Sequence, residues 1–219
     1  MTARATESVR AASSITIGNP AQRATAVVLA GGTSERMGRD KSLLPIRGQS
    51  MTAARGVCTV PLIEHVCAQV RPYFGQILVA ADDTERFAFL GVDLVQDQAP
   101  GLGPLMGIAS ALEVSAYDLN FVVACDIPAI DMPFVRRMLW EAVGVDAVVP
   151  KTERGHFEPL FAVYRRSALP AFHRSLAAGR RKVIAALEHC YVKHVALPES
   201  VELGNVNTLE DYECLLRPP

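Results

Sequence analysis

The residues best suited to chemistry stand in one short stretch, AVVLAGGTSERMGRDKSLLP, Ala26 to Pro45. An apolar run with two valines stops at Gly31 and Gly32, after Leu29 and Ala30, and is followed by Arg36, Gly38 and Lys41. Glycines let backbone N–H groups approach a phosphate closely, and an arginine and a lysine nearby add fixed positive charge to the same anion. The composition is that of a nucleotide-phosphate grip. It is neither a Walker A loop, since Gly38 is followed by Arg39 and Asp40, nor a dinucleotide fingerprint, since Thr33 follows Gly32. Asp40 reads as a residue that orients Lys41.

Two aspartates lie downstream in positions with chemical meaning. Asp126 comes where the apolar run FVVAC stops, at the carboxyl end at which open α/β sheets place ligands. A hard oxygen there suits Mg²⁺, which takes one or two carboxylates and keeps several waters. Aspartates at strand ends also satisfy turn backbone, a purely local role. Asp97 precedes PGLGPLMGI and its Gly103. A carboxylate can accept from both N1–H and the exocyclic amine of guanine, donors that adenine does not offer together.

The elements that must position these residues follow from hydrophobic period. Strand-like and helix-like segments alternate, the pattern of a parallel sheet with helical crossovers. Strands are expected at Gln76 to Ala81, Asp93 to Gln96 (edge-like), Asn120 to Cys125, Asp146 to Val149, Leu160 to Tyr164 and Tyr191 to Leu197. Helices are expected from Pro61, from Pro104, after Asp131, over Ala168 to Ala178 and Lys182 to His189, and after a Thr208/Asp211 capping box. The loop between the Asp146 and Leu160 strands is too short for a helical crossover, which predicts one antiparallel neighbour in an otherwise parallel sheet.

Composition narrows the function classes. The chain has 219 residues, half of them hydrophobic, and a net charge of −1, so no global basic field recommends a nucleic acid partner. Its size suits a single domain, expected over residues 24–219. Five dispersed cysteines without a CxxC pair suit a reduced, cytoplasmic compartment. No apolar run approaches the roughly 20 residues that span a bilayer. Residues 1–23, rich in Ala, Ser, Thr and Arg, read as a disordered tail or, being poor in acids, as a transit peptide. The histidines show no paired metal spacing, and no GxSxG elbow supports serine hydrolysis. Cys125, in an apolar strand, reads as packing.

The run LAGGTSERMGRDKSLLP resembles the signature of nucleotidyltransferases with a sugar-pyrophosphorylase-like fold, and within them the molybdenum cofactor guanylyltransferase family. The segments at Cys125 to Pro128, Asp97 to Gly107, Phe157 to Tyr164 and Gly204 to Thr208 are similar to that family's CDxP, D...GPLAG, PLFALY and NVNT stretches. The resemblance covers roughly Thr25 to Tyr212. It implies a Rossmann-like three-layer α/β/α sandwich with a mostly parallel mixed sheet, nucleotide over the first half and acceptor over the second. It also implies GMP transfer from GTP to the terminal phosphate of molybdopterin, with pyrophosphate released and Mg²⁺ held by Asp126. In that picture Arg36, Lys41 and Asp126 are catalytic, and Leu29, Ala30, Gly31, Gly32, Lys41, Asp97, Gly103 and Asp126 hold the nucleotide. Glu158, Arg180, Arg181, Asn205 and Asn207 are candidates for the acceptor.

Two departures from the family pattern stand out. Ser50 to Val60 intervene before the PLIEHV helix, as a loop insertion of about a dozen residues, either a lid or surface decoration. Relatives often carry Asn directly after the second strand, whereas Ala80 and Ala81 precede Asp82 here, which leaves guanine and cytosine both open. A CTP-dependent or other-acceptor transferase of the same fold, or a non-catalytic nucleotide-binding accessory of molybdoenzyme maturation, are the remaining readings.

Overall fold

The strand that ends at the signature is buried at every position, and its alternation assigns each residue to one of two cores. In β1 (Ala24–Leu29), Ala26 and Val28 face one apolar cluster while Val27 and Leu29 face another. Thr25 is tolerated inside because its hydroxyl donates to Gln76 Oε1 at 3.0 Å and lies 2.6 Å from the Ser115 hydroxyl. A strand covered on both faces is what a parallel sheet between helical layers requires. The computed structural model describes residues 20–31, 40–51, 57–201 and 203–216.

Six further strands join β1: β4 (Gln76–Ala81), β5 (Asp93–Gln96), β6 (Leu119–Ala124), β7 (Ala147–Lys151), β8 (Phe161–Arg165) and β9 (Val192–Ala196). Their order across the sheet is β5-β4-β1-β6-β8-β7-β9. Only β8 runs antiparallel to its neighbours, as the short connection from β7 demands. β5 lies at an edge, as expected. The chain leaves β1 toward β4 and β5 and later returns to lay β6 on the other side of β1, so the order reverses between β1 and β6. That reversal opens a crevice at the carboxyl ends of the strands.

Helices α1 (Leu62–Val70) and α3 (Met132–Glu141) cover one face. α2 (Pro104–Val114), α4 (Leu169–Ala177) and α5 (Val183–Leu187) cover the other, which makes the expected three-layer α/β/α sandwich. α2 is buried along most of its length between sheet and α4. It starts at Gly103, whose φ of 79° strains any residue with a Cβ, and Pro104 follows in the first turn. Asp131 caps α3 by accepting from Phe134 N at 2.7 Å. In the last helix, α6 (Leu209–Leu216), the capping box forms as read: Thr208 Oγ1 accepts from Asp211 N at 3.1 Å and Asp211 Oδ2 accepts from Thr208 N at 2.8 Å.

Two expectations change. The tail was expected to run to residue 23, but Pro20–Arg23 form a 3₁₀ turn with Ala21 fully buried, packed against α3. Within the expected loop insertion at 50–60, the far end is strand. β3 (Val57–Pro61) pairs antiparallel with β2 (Pro45–Gln49), bringing Ile46 opposite Val60, both buried. The valines and threonine of VCTV favour this pleated, half-buried surface over a loop. Residues 52–56 lie outside the described residues. The ribbon builds a satellite core of Ile46, Leu62 and Val206 with Tyr212 and Leu215.

Candidate functional site

Four strand ends meet the crevice. Leu29, Ala30 and Gly31 leave β1, Ala80 and Asp82 leave β4, Asp97 follows β5, and Ala124, Cys125 and Asp126 end β6. With Asp40, Lys41, Ser42, Gly101, Gly103, Pro104, Gly107 and Leu160 they line a cavity of about 370 Å³. β5 and β6 are three strand spacings apart, roughly 14 Å. The cavity is therefore elongated across the sheet, with Asp97 at one end and Asp126 at the other.

At the Asp126 end, position is set by hydrogen bonds from three segments. Cys125 N donates to Leu29 O at 3.0 Å, and Val206 N donates to Asp126 O at 2.9 Å. The side-chain amide of Gln69, on α1, donates to Pro128 O at 2.7 Å and accepts from Ile130 N at 3.1 Å, fixing the loop after Asp126. Lys41 opens a 3₁₀ turn, Lys41–Leu43, which Asp40 caps by accepting from Ser42 N at 3.0 Å and Ser42 Oγ at 2.6 Å. Lys41 Nζ donates to Asn207 Oδ1 at 2.8 Å. Asp40 also pairs with Arg86 Nη1 at 2.8 Å, and the same guanidinium reaches Ala30 O at 3.5 Å. Asp40 thus lines the cavity and also caps the turn that carries Lys41.

This end sets the Lys41 ammonium beside the Asp126 and Asp40 carboxyls. Burial pushes the Asp126 carboxyl above its ordinary value, and the Lys41 ammonium pulls it back. Burial, with Asp126 and Asp40 beside it, pushes the Cys125 thiol far up, so it stays protonated and packs, as expected.

The Asp97 end is drier. Asp97 is 8% exposed, and its Oδ1 has no hydrogen-bond partner among the described residues. Burial and the neighbouring Asp82 carboxylate push its carboxyl up to about 6. Gly107 lets α2 come this close, since a Cβ there would sit 3.3 Å from Asp97 Oδ1. The Asp97 carboxyl also hydrogen-bonds the Asp82 side chain, and a half-buried acid pair of this kind is costly when both members are ionised.

Of the residues expected to hold nucleotide or metal, Leu29, Ala30, Gly31, Lys41, Asp97, Gly103 and Asp126 all line this one cavity. Gly32 and Arg36 lie outside the described residues. The acceptor candidates Glu158, Arg180, Arg181, Asn205 and Asn207 do not line it. Asn207 touches it through Lys41, and Arg181 Nη1 reaches the O atom of the lining residue Gly101 at 3.4 Å. Arg180 and Asn205 are exposed. Glu158 is half-buried next to the cavity residue Leu160, and burial pushes its carboxyl up. Sequence reasoning missed Asp82 and Arg86. Arg86 carries no local signal, because its polar contacts, to Asp40 and Ala30 O, span more than forty positions.

Comparison with known proteins fits this geometry. The family of MobA-like NTP transferase domains matches residues 26–190. The chain belongs to that family. It is a nucleotidyltransferase, and the cavity lies at the reversal of strand order, where open α/β sheets bind ligands. A probable molybdenum cofactor guanylyltransferase of Carboxydothermus hydrogenoformans is 34% identical over 203 residues, 90% of this chain and 96% of the relative. One from Pelotomaculum thermopropionicum is 35% identical, covering 86% and 90%. Among solved structures, molybdopterin-guanine dinucleotide biosynthesis protein A from Archaeoglobus fulgidus superposes with a TM-score of 0.72 at 25% identity, over 88% of this chain and 96% of that one. Among the described residues of this MobA-like chain, no helix is long and apolar enough to cross a membrane.

Proposed function

We propose that this nucleotidyltransferase moves GMP from GTP onto the terminal phosphate of molybdopterin and releases pyrophosphate. The observation that carries the reading is the polarity of the cavity: Lys41 and Asp126 together at one end, and the Asp97 and Asp82 carboxyls at the other. Guanine presents N1–H and an amine side by side, which is what the Asp97 carboxylate lacks. Cytosine would turn ring acceptors toward the same carboxylate, so the geometry favours GTP over CTP. The names of the similar proteins support the acceptor.

Attack of an acceptor phosphate on the α-phosphorus forms one P–O bond and breaks the bond to the departing pyrophosphate, with no covalent enzyme intermediate required. The protein's share is orientation and charge neutralisation. Lys41, held by Asn207 and by the Asp40-capped turn, offsets phosphate charge, and the β1 end supplies backbone for close approach. Among the described residues there is no cluster of three ligating side chains. A lone hard carboxylate, raised in energy by burial, fits a cation that brings its own waters and shares phosphate oxygens, which is the habit of Mg²⁺. Asp126 would hold that ion, which supplies charge neutralisation on the phosphates when bound.

The test is pyrophosphate release with Mg²⁺ and molybdopterin, with GTP, CTP and ATP in parallel. GTP-selective release is expected. Preference for CTP overturns the base assignment while leaving the chemistry, and silence with every nucleotide from folded protein overturns the acceptor or the catalysis.

A further inference from the structure

The side of the cavity that carries Lys41 and Asp126 is held together by α1, and one side chain of that helix reaches the segments of both. His65 Nδ1 accepts from Gln49 N at 2.9 Å, on β2, the strand that follows the Lys41 turn. The same ring hydrogen-bonds the Pro128 carbonyl, in the loop that Asp126 opens. With Nδ1 accepting, only Nε2–H is left to donate, so the two bonds hold the neutral ring in one tautomer. Burial lowers the imidazole pKa from its ordinary value and favours that neutral form, against the opposing pull of the Pro128 bond. Anchoring of the ribbon does not by itself account for the histidine. Glu64 Oε1 already accepts from Ser50 Oγ at 2.6 Å and Met51 N at 3.0 Å, Tyr212 Oη donates to Pro45 O at 2.6 Å, and Ile46 packs with Leu62 and Val206. What His65 adds is the bond to the loop. Pro128 O takes two donors, the His65 ring and the Gln69 side-chain amide. β2 is shaped to receive the ring: a Cβ at Gly48 would lie 2.6 Å from His65 Nδ1 and 2.8 Å from its Cγ, so this close approach of strand and imidazole needs glycine.

We propose that His65 is a positioning residue for nucleotidyl transfer, a clamp whose two ring nitrogens hold the Asp126 loop at a set distance from the segment that carries Lys41. The inference rests on the reading of Asp126 as the carboxylate that holds Mg²⁺. Lys41 is tied to α1 through Leu62 N, which donates to Leu44 O at 2.9 Å just after the Lys41 turn, and again through Gln49. Asp126 is tied to the same helix through Pro128. Mg²⁺ demands near-ideal geometry from its few protein ligands, and a misplacement of about 1 Å in a reacting group is enough to lose much of a rate. His65 acts on the reaction only through Pro128.

The experiment separates the two bonds of the ring. His65→Asn retains an acceptor at the Nδ1 position and is too short to reach Pro128, whereas His65→Gln can carry its amide to Pro128 O. Each is measured for kcat and KM in pyrophosphate release from GTP with Mg²⁺ and molybdopterin, and for Mn²⁺ affinity in the presence of GTP by electron paramagnetic resonance. His65→Asn is expected to lower kcat about tenfold and to weaken Mn²⁺ binding several-fold with KM for GTP little changed, and His65→Gln to recover most of both. Gly48→Ala, which displaces the ring from outside, is expected to follow His65→Asn and serves if that variant does not fold. Unchanged kcat and Mn²⁺ affinity in folded His65→Asn overturns the inference, as do equal losses in the Asn and Gln variants, the mark of a ring that only fills space. Asp126→Ala runs alongside. If it keeps wild-type Mn²⁺ affinity, the metal reading falls first and this inference with it, whereas a loss there with none in His65→Asn overturns this inference alone.

Discussion

The two ends of the cavity are built from the same kind of part, an aspartate at a strand terminus, yet they solve opposite problems. Asp126 has a cation beside it in Lys41, and its surroundings are tied by Gln69, Val206 and Leu29. Asp97 has a second acid beside it and an oxygen with no partner among the described residues. A carboxylate next to an ammonium is prepared to share an anion and its counterion, whereas a carboxylate next to a carboxylate is prepared only for donors. The charge of the neighbour, rather than the aspartate, separates the proposed phosphate end from the proposed base end.

The sharpest way to break that contrast is at the phosphate end. Asp126→Ala should lower kcat by on the order of 10³-fold while GTP still binds and the far-UV spectrum stays native; near-normal turnover would remove Asp126 from the reaction. Next in size, Lys41→Ala should cost about 10²-fold in kcat/KM, and Asn207→Ala, which removes one hydrogen bond from the lysine, should cost less. Equal losses for the two would make orientation, not charge, the contribution of Lys41.

The smallest and most selective effect belongs to the base end and to pH. With Asp97 held near 6, against 3.8 for an unperturbed aspartate, the folded protein keeps a proton in that window that the unfolded chain has released. Stability contributed by the protonated form is therefore lost as pH rises from about 4 to 6. Guanine recognition needs the ionised carboxylate, so GTP affinity should fall as pH drops through about 6 while phosphate-end contacts persist. Calorimetric GTP titrations at pH 5.5 and 7.5 check the sign, and Asp97→Asn should flatten both trends. A pH-independent affinity would place the base elsewhere.

The sequence made much of this legible for definite reasons. Gln76 to Ala81 and Asn120 to Cys125 read as strands because buried parallel strands are short continuous apolar runs, Asp93 to Gln96 as a shorter edge strand, and the expected bounds match β4, β6 and β5 to within a residue. The antiparallel β8 was legible from loop length alone. The β2 and β3 ribbon was not, because half-buried edge strands with a glycine and prolines carry a weak period, and their stabilising partners, Val206 and Tyr212, lie far along the chain.

Residue types and local spacing were enough to determine the glycine-bearing strand end, the aspartates at strand termini, the helix caps and the α/β class, since each depends on neighbours within a few positions. Only the tertiary structure decided that Asn207 holds Lys41, that Arg86 holds Asp40, that Arg181 meets the Gly101 loop, and that Asp82 stands beside Asp97. Those contacts depend on strand order, which brings together segments that no periodicity relates, and on burial, which pushes up the carboxyl of an ordinary aspartate.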